Sequence, residues 1–281
     1  MPKLKVNGVN LYYEEAGTGT PIVFLHEFAG DYRSWEPQMR FFARRYRCVT
    51  LSYRGYAPSD VPRDPDAYSQ DIVVDDVLGL MDGLGIDRAH ICGLSIGANT
   101  AVFLGLRAPE RCLSLTVAGG GHGSVRDAKE RAEFEHDFTS RAQRLLDEGM
   151  EPVARLQAEG PSRLPMKMKD PRGWAEFRDW FVAHDPVGSA HMAVGVPLKR
   201  PNYHDIADDL RRMDVPTLII VGDQDAHCIE GSLFLKQALP RAGLSVFPMS
   251  GHLLPSEEPD LFNRTLLEFT TLAEAGRWEK P

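Results

Sequence analysis

The chain has 281 residues, of which 43% are hydrophobic and 26% charged, a composition that excludes a disordered or fibrous protein. Its formal net charge of −8 argues against a surface for nucleic acid or anionic membranes, since either would need a clustered basic face. The length suits one large domain, or a domain with an inserted subdomain.

The sequence also lacks the signals of secretion and membrane insertion. No apolar run follows the N-terminal lysines, and no apolar stretch reaches the roughly 18 residues of a membrane span. Its 4 cysteines form no Cys-x-x-Cys pair, which argues against a disulfide framework or a zinc site. We expect a cytoplasmic protein without nucleic-acid or membrane partners, cofactor or metal. A homo-oligomer is compatible with the sequence.

The first part of the chain alternates between short apolar runs and segments with apolar residues at helical spacing. An Asn-Gly hairpin signal joins the first two predicted strands. The predicted strands are residues 3–6, 9–13, 22–25, 48–51, 89–92 and 113–118, and the predicted helices are 34–45, 72–84 and 96–107. This alternation implies right-handed crossovers on a mostly parallel sheet.

The alternation stops after three consecutive glycines at 119–121. The next segments read as helices, with no convincing strand between them, until the strand–helix pattern resumes. The predicted helices there are 128–146, 152–158 and 174–182, followed by strands at 217–221 and 244–247 and a last helix at 261–272. We therefore predict a core of residues 1–121 and 206–281, with an all-helical cap of residues 122–205 inserted into it.

The five residues Gly93-Leu94-Ser95-Ile96-Gly97 match the Gly-x-Ser-x-Gly pattern of a nucleophile elbow. A predicted buried strand runs into this motif and a predicted helix leaves it, as the elbow requires. The serine would occupy a tight, strained turn at a helix N-terminus, where the helix dipole favours developing negative charge. The alternative is an ordinary strand–helix turn with a capping serine.

A serine nucleophile needs a base, and the base needs an acid that orients it. Asp225 directly follows one predicted strand, and His252 follows the next. Catalytic groups of open α/β sheets gather at the carboxyl ends of strands, so we expect Ser95, Asp225 and His252 to converge. Asp223 is the rival acid.

The chain resembles the cap-bearing branch of the α/β-hydrolase superfamily, which includes esterases, cofactor-free haloperoxidases and carbon–carbon bond hydrolases. The motifs that carry the resemblance extend over nearly the whole chain. Besides the elbow they are His26-Glu27-Phe28, Arg54-Gly55-Tyr56-Ala57-Pro58-Ser59-Asp60, Gly222-Asp223-Gln224-Asp225 and Gly251-His252. The resemblance implies an eight-stranded, mostly parallel sheet flanked by helices. It also implies Ser95 as the nucleophile, His252 as general base and then acid, and Asp225 as its orienting partner.

The resemblance further implies an oxyanion hole made by the backbone N–H groups of Phe28 and Ile96. It assigns His26 to bracing the oxyanion loop rather than to proton transfer. One departure concerns Glu27, which stands where the family usually has glycine. An ionised carboxylate close to the oxyanion would oppose catalysis, so we expect Glu27 to point away or to be paired.

The other histidines are less specific. His90 lies within a predicted core strand, and we expect it to be buried with its hydrogen bonds satisfied. His122 follows the glycines at the predicted active edge and is a candidate for contact with substrate. His184, Asp185 and His191 suggest a metal site, but no further ligand pattern accompanies them, so we expect none.

These residues predict a carboxylesterase-like serine hydrolase that cleaves a small, largely apolar ester, lactone or amide through an acyl-enzyme. One alternative is a hydrolase of the carbon–carbon bond beside a ketone in a ring-fission product, although those relatives commonly carry Gly-Asn-Ser-Met-Gly-Gly at the elbow. Perhydrolase or haloperoxidase-like activity and a non-enzymatic ligand receptor are the others. Serine at the elbow disfavours epoxide hydrolases and haloalkane dehalogenases, which place aspartate there.

Overall fold

The computed structural model describes residues 2–279 of the chain. Eight strands form one sheet in the order β1-β2-β4-β3-β5-β6-β7-β8. They are β1 (Lys3–Val6), β2 (Val9–Ala16), β3 (Pro21–Leu25), β4 (Arg47–Leu51), β5 (Ala89–Leu94), β6 (Cys112–Ala118), β7 (Thr217–Gly222) and β8 (Ala242–Phe247). β2 pairs antiparallel with β1 and with β4, and the other pairs are parallel. The predicted mostly parallel, eight-stranded sheet is confirmed.

The burial of the strands follows their positions in the sheet. Every residue of β5 and β7 is buried, as expected for strands covered on both faces by helices. The edge strand β8 keeps most of its residues partly exposed. The central strands are therefore the most enclosed part of the sheet, and the loops that carry the candidate site residues begin at their carboxyl ends.

Twelve α-helices accompany the sheet in the described part of the chain. They are α1 (Glu36–Phe42), α2 (Gln70–Gly83), α3 (Ile96–Arg107), α4 (Ala128–Glu148), α5 (Met150–Ala158), α6 (Leu164–Lys169), α7 (Pro171–Val182), α8 (Pro186–Gly195), α9 (Ala207–Arg212), α10 (Ala226–Ala238), α11 (Leu254–Glu257) and α12 (Pro259–Glu274). Side-chain caps begin several of them: Ser69 accepts from the N–H of Ile72 at α2, and Asp127 accepts from two N–H groups at α4. No helix among residues 2–279 is both long and apolar enough to cross a membrane.

Helices α4 to α8 all lie between β6 and β7, and no described residue from 119 to 216 belongs to a strand. Their shared interior is aromatic and includes Phe134, Phe138, Trp174, Phe177 and Phe181. The assignment of residues 122–205 to a cap stays a prediction. Residues 1, 280 and 281 of the predicted core lie outside the described residues.

The sequence analysis did not predict the helices α6, α8, α9 and α11, and two further differences have a clear physical reason. The helix predicted at 34–45 is divided into a 3₁₀ turn, Tyr32–Trp35, and α1, because Asp31 caps the turn and Pro37 occupies the first turn of α1. Helix α10 was not predicted, because small residues make up most of its buried face and so give no periodic pattern of large apolar side chains. The buried residues are Cys228, Gly231, Ser232, Leu235 and Ala238. One of them, Gly231, packs directly on the backbone of Gly121.

Candidate active site

Ser95 occupies the turn between β5 and α3 with φ 57° and ψ −112°. A positive φ is uncommon for any residue other than glycine, and here it holds the side chain at the carboxyl end of the sheet. The flanking glycines leave no room for a side chain. A Cβ on Gly93 would lie 2.1 Å from the carbonyl oxygen of Gly97, and one on Gly97 would lie 2.1 Å from that of Leu25. This is the geometry of a nucleophile elbow.

Asp225 and His252 form a buried pair at the ends of β7 and β8. The distance from Asp225 Oδ2 to His252 Nδ1 is 2.6 Å. Burial raises the pKa of Asp225, but the charge and hydrogen bond of His252 outweigh it, so the pKa lies below its ordinary value. Asp223 is exposed and accepts instead from the N–H of Ser250 at 3.3 Å. Asp225 is therefore the carboxylate that contacts the imidazole.

One cavity of about 370 Å³ brings the sequence-predicted residues together. Its walls include Ser95, Asp225, His252, Phe28 and Ile96. Neither the Phe28 N–H nor the Ile96 N–H has a backbone or side-chain acceptor among the described residues. Both donors therefore remain available for an oxygen atom in the cavity.

His26 holds the loop that carries Phe28. The N–H of Tyr53 donates to His26 Nε2 at 3.1 Å, so the proton of the neutral ring lies on Nδ1, which donates to the Glu27 carbonyl at 2.7 Å. Burial lowers the pKa of His26 to about 4. The hydroxyl of Tyr56 adds a hydrogen bond to the Phe28 carbonyl at 3.0 Å. This geometry fits a brace for the oxyanion loop.

The unusual Glu27 is buried and folds back over its own loop. Its Oε1 accepts from the Ser34 hydroxyl at 3.2 Å and lies where a Cβ on Gly30 would stand. Burial raises the pKa of Glu27, although the positive charges of His252 and Arg163 oppose this effect. The protonated form is therefore favoured relative to a free glutamate, which reduces the negative charge near the two N–H donors.

Cys228, one turn into α10, lies against the Asp225–His252 pair. Its thiol donates to the Gly119 carbonyl at 3.1 Å and lies 3.9 Å from His252 Nδ1. Ligand-type atoms of Asp225, Cys228 and His252 lie within 4.8 Å of one another, a spacing that a metal ion would accept. However, these groups already bond to one another or to the backbone: His252 Nδ1 donates to Asp225 Oδ2, and the thiol donates to the Gly119 carbonyl. The arrangement fits a hydrogen-bonded triad better than a metal site.

Three arginines from the helical segment, Arg141, Arg144 and Arg163, line the same cavity, and no sequence motif pointed to any of them. Arg163 precedes α6, and its neighbour Ser162 accepts the His252 N–H at 2.8 Å through its carbonyl. Arg141 lies on α4, with its guanidinium carbon 5.8 Å from the centre of the Phe28 ring. The cavity wall is therefore more polar than the largely apolar substrate of the sequence prediction would need.

His122 also lines the cavity, and its ring centre lies 4.7 Å from that of His227. Burial, with the neighbouring positive charges, lowers the pKa of His122 to about 3, so the ring is neutral. His90 lies apart from the cavity and is satisfied by the Ser114 hydroxyl at 2.7 Å and by Glu274 at 3.1 Å.

The residues that suggested a metal site do not converge. Asp185 is bound by the guanidinium of Arg63 at 2.7 and 2.8 Å. His191 stacks on Tyr68 with ring centres 5.4 Å apart, whereas the ring centre of His184 lies 5.1 Å from that of Tyr56.

A larger cavity of about 930 Å³ lies between α3 and the segment 199–216. None of Ser95, Asp225 and His252 lines it. The candidate active site is therefore the smaller cavity, which Ser95, Asp225 and His252 all line.

Comparison with known proteins agrees with this geometry. Residues 20–259 match the family model described as alpha/beta hydrolase fold. RutD of Azorhizobium caulinodans, named as a proposed carbamate hydrolase, is 29% identical over 274 residues, 96% of this chain and 98% of its own. 3-Oxoadipate enol-lactonase 1 of Acinetobacter baylyi is 29% identical over 244 residues, 86% of this chain and 85% of its own.

Among solved structures, the enol-lactonase from Burkholderia xenovorans LB400 superposes with a TM-score of 0.83 at 27% identity, covering 96% of this chain and all of that one. The family model spans most of the sheet and the helices between its strands. The chain is a member of the α/β-hydrolase family.

Proposed function

We propose that this protein is a serine hydrolase that cleaves small carboxylic esters or lactones, with amides as a slower class, through an acyl-enzyme. The observation that carries the proposal is the 2.6 Å contact between Asp225 and His252 in the same cavity as Ser95, which stands on a strained turn. The similarity to enol-lactonases supports esters and lactones as the first classes to test.

In the proposed reaction, Ser95 attacks the carbonyl carbon while His252 accepts its proton. Asp225 takes the hydrogen bond from Nδ1 and so leaves Nε2 free to act as the base. The tetrahedral oxyanion would receive hydrogen bonds from the N–H groups of Phe28 and Ile96. Each such donor contributes a few kcal/mol in the transition state, about 2.7–4 in the best-measured case.

His252 then protonates the leaving alcohol, and the Ser95–acyl bond remains. Water that gives a proton to His252 attacks the carbonyl carbon of the acyl group. As the second tetrahedral intermediate collapses, the bond to Ser95 Oγ breaks, Oγ takes the proton from His252, and the acid is released. With a lactone, the leaving alcohol stays attached to the acyl chain, so the product is a hydroxy acid; with an enol lactone, it is a keto acid.

We also propose that residues 122–205 form a cap that encloses the reacting atoms. Arg141 and Phe138 of α4, Val153 of α5 and the turn before α6 all line the cavity, opposite the sheet. Enclosure of this kind excludes water and strengthens the electrostatic interactions within the site.

The first test is turnover of short- and medium-chain p-nitrophenyl esters and of simple lactones. We expect wild type to be active and Ser95→Ala to lose at least about a thousandfold in kcat. Ser140→Ala is the matched control, because Ser140 lines the same cavity but stands exposed on α4 rather than on the strained turn after β5. Binding of such ligands by wild type without any turnover would favour the receptor alternative.

A further inference from the structure

The cavity holds two guanidinium groups that have no carboxylate partner among the described residues. Arg163 donates to the Ser162 hydroxyl at 3.1 Å, and its Nε is buried without an acceptor. Arg141 makes no hydrogen bond to a described residue and instead lies over Phe138, 4.6 Å from the ring centre. Both side chains are half-buried in the cavity wall, so their guanidinium groups are open to a ligand that enters the cavity.

None of the acidic groups around the cavity forms an ion pair with Arg141 or Arg163 within residues 2–279. The buried Glu257, whose charge attracts Arg163, accepts instead from the N–H groups of Gly251 and Leu253. Asp225 is bound to His252. Glu27 is paired with a hydroxyl, and burial raises its pKa. Asp137 lines the cavity mouth but is exposed to solvent. In contrast, Arg144, one turn from Arg141, is held by Glu148 through two contacts of 2.8 and 2.9 Å.

The two free guanidinium groups are also held close enough to repel each other. Burial lowers the pKa of Arg141 to about 10, and the charge of Arg163 lowers it further in the same direction. Burial likewise lowers the pKa of Arg163, against the attraction of Asp225 and Glu27. A negatively charged ligand between the two groups would remove this repulsion.

We propose that Arg141 and Arg163 bind a carboxylate of the substrate, so that the preferred substrate is a small ester or lactone that carries a free carboxylate. This inference rests on the proposed function, because it places the carboxylate in the cavity of Ser95. Neither guanidinium group has an ion-pair partner among the described residues, so a carboxylate of the substrate would supply the complementary charge.

The positions of the two arginines indicate how the substrate would lie in the cavity. Arg141 contacts the ring of Phe28, whose N–H is a proposed oxyanion donor, and Arg163 adjoins the turn that binds the His252 N–H. The substrate carboxylate would therefore lie on the cap side, with the scissile carbonyl toward Ser95. A cavity of about 370 Å³ is near the lower end of the usual range of about 300–1,000 Å³, which restricts the spacer to a few atoms.

The test compares two substrates with the same leaving group, the p-nitrophenyl monoester of adipic acid and p-nitrophenyl methyl adipate. We expect wild type to prefer the anionic monoester in kcat/KM after subtraction of spontaneous hydrolysis. Arg141→Gln and Arg163→Gln should each reduce the ratio of the two kcat/KM values at least about 30-fold, mainly through KM for the monoester. Arg141→Lys and Arg163→Lys should retain part of the ratio, since the charge remains.

Arg172→Gln is the matched control, because it removes an arginine of the cap segment that is 91% exposed and lies outside the cavity. It should leave the ratio unchanged. A second readout does not need turnover: adipate should bind to Ser95→Ala in a calorimetric titration, and Arg163→Gln in that background should abolish binding. Circular dichroism establishes that each variant is folded.

The outcomes separate the two proposals. Turnover of the methyl ester through Ser95 with no preference for the monoester, or with a ratio that the arginine variants do not change, overturns the carboxylate site and leaves the hydrolase proposal standing. Arginine-dependent binding of adipate without hydrolysis of either substrate supports the carboxylate site and contradicts the hydrolase proposal.

Discussion

The substitution Asp225→Asn tests whether the buried carboxylate orients the base. In the wild-type protein, His252 Nδ1–H donates to Asp225 Oδ2 across 2.6 Å, so Nε2 is unprotonated and able to take the serine proton. Asparagine preserves the volume, but its amide N–H donates to Nδ1 and stabilises the tautomer with the proton on Nε2. That tautomer does not accept the proton of Ser95.

We expect a loss of about 10⁴ in kcat, which corresponds to about 5.5 kcal/mol of transition-state stabilisation. Substrate binding should change little, because Asp225 acts through His252 rather than on the substrate. The assay is steady-state hydrolysis of p-nitrophenyl butyrate, with the melting temperature measured in parallel to exclude unfolding.

Asp223→Asn is the matched control, because Asp223 lies two residues away, is exposed and contacts Ser250 instead. It should retain activity within about twofold, in line with the small effect of surface substitutions. A large loss in Asp223→Asn together with near-normal activity in Asp225→Asn would refute the assignment of the acid.

Three further substitutions, one of them with a control variant, test the fold and the loop around the site. Burial raises the pKa of Glu27 in the folded protein, so the native state binds more protons than the unfolded chain, and the free energy of unfolding of wild type should fall as the pH rises from the ordinary pKa through the raised one. Melting curves measured from about pH 4 to about pH 8 should show a smaller fall for Glu27→Gln, and parallel curves for the two proteins would contradict the burial argument. Asp76→Ala leaves the buried Arg54 without its 2.6 Å partner, so denaturant unfolding should show a loss of about 3–5 kcal/mol. Asp75→Ala removes a half-exposed carboxylate that pairs with Arg107 at the surface, so it should lose less than about 1 kcal/mol, and equal losses would be inconsistent with a buried Arg54–Asp76 pair. Gly97→Ala places a methyl group 2.1 Å from a backbone oxygen, so we expect loss of activity and a lower melting temperature, whereas normal values would contradict the close approach.

The sheet was predictable because its central strands are buried on both faces and so appear as continuous apolar runs. β3, β5 and β7 are of this kind. The positions of Asp225 and His252 followed from the same signal, since each residue comes soon after a strand. In parallel strands, residues at that position meet at one edge.

Helix α10 and Cys228 were not predictable for a physical reason. The buried face of α10 includes Cys228, Gly231 and Ser232, because the helix packs closely on the backbone near Gly121. Close packing requires small side chains, and small side chains produce no apolar periodicity. Only the fold places the thiol beside the acid–base pair.

Arg141 and Arg163 were missed because the sequence of a helical segment with many charged residues does not show which charged side chain faces a cavity. Helix α4 carries Arg131, Arg141 and Arg144. Arg141 and Arg144 both line the cavity, but Glu148 binds Arg144, and only the structure shows that Arg141 lies against Phe28 without such a partner. Substrate class depends on such choices, so it was the least predictable property of this chain.

The most direct test of the account is covalent labelling with a p-nitrophenyl alkylphosphonate followed by peptide mass spectrometry. We expect one equivalent of label on the peptide that contains Ser95, release of one equivalent of p-nitrophenol, and much slower labelling of Asp225→Asn. Absence of the label from Ser95 in folded wild-type protein, or its attachment to another residue, would contradict the serine-hydrolase mechanism.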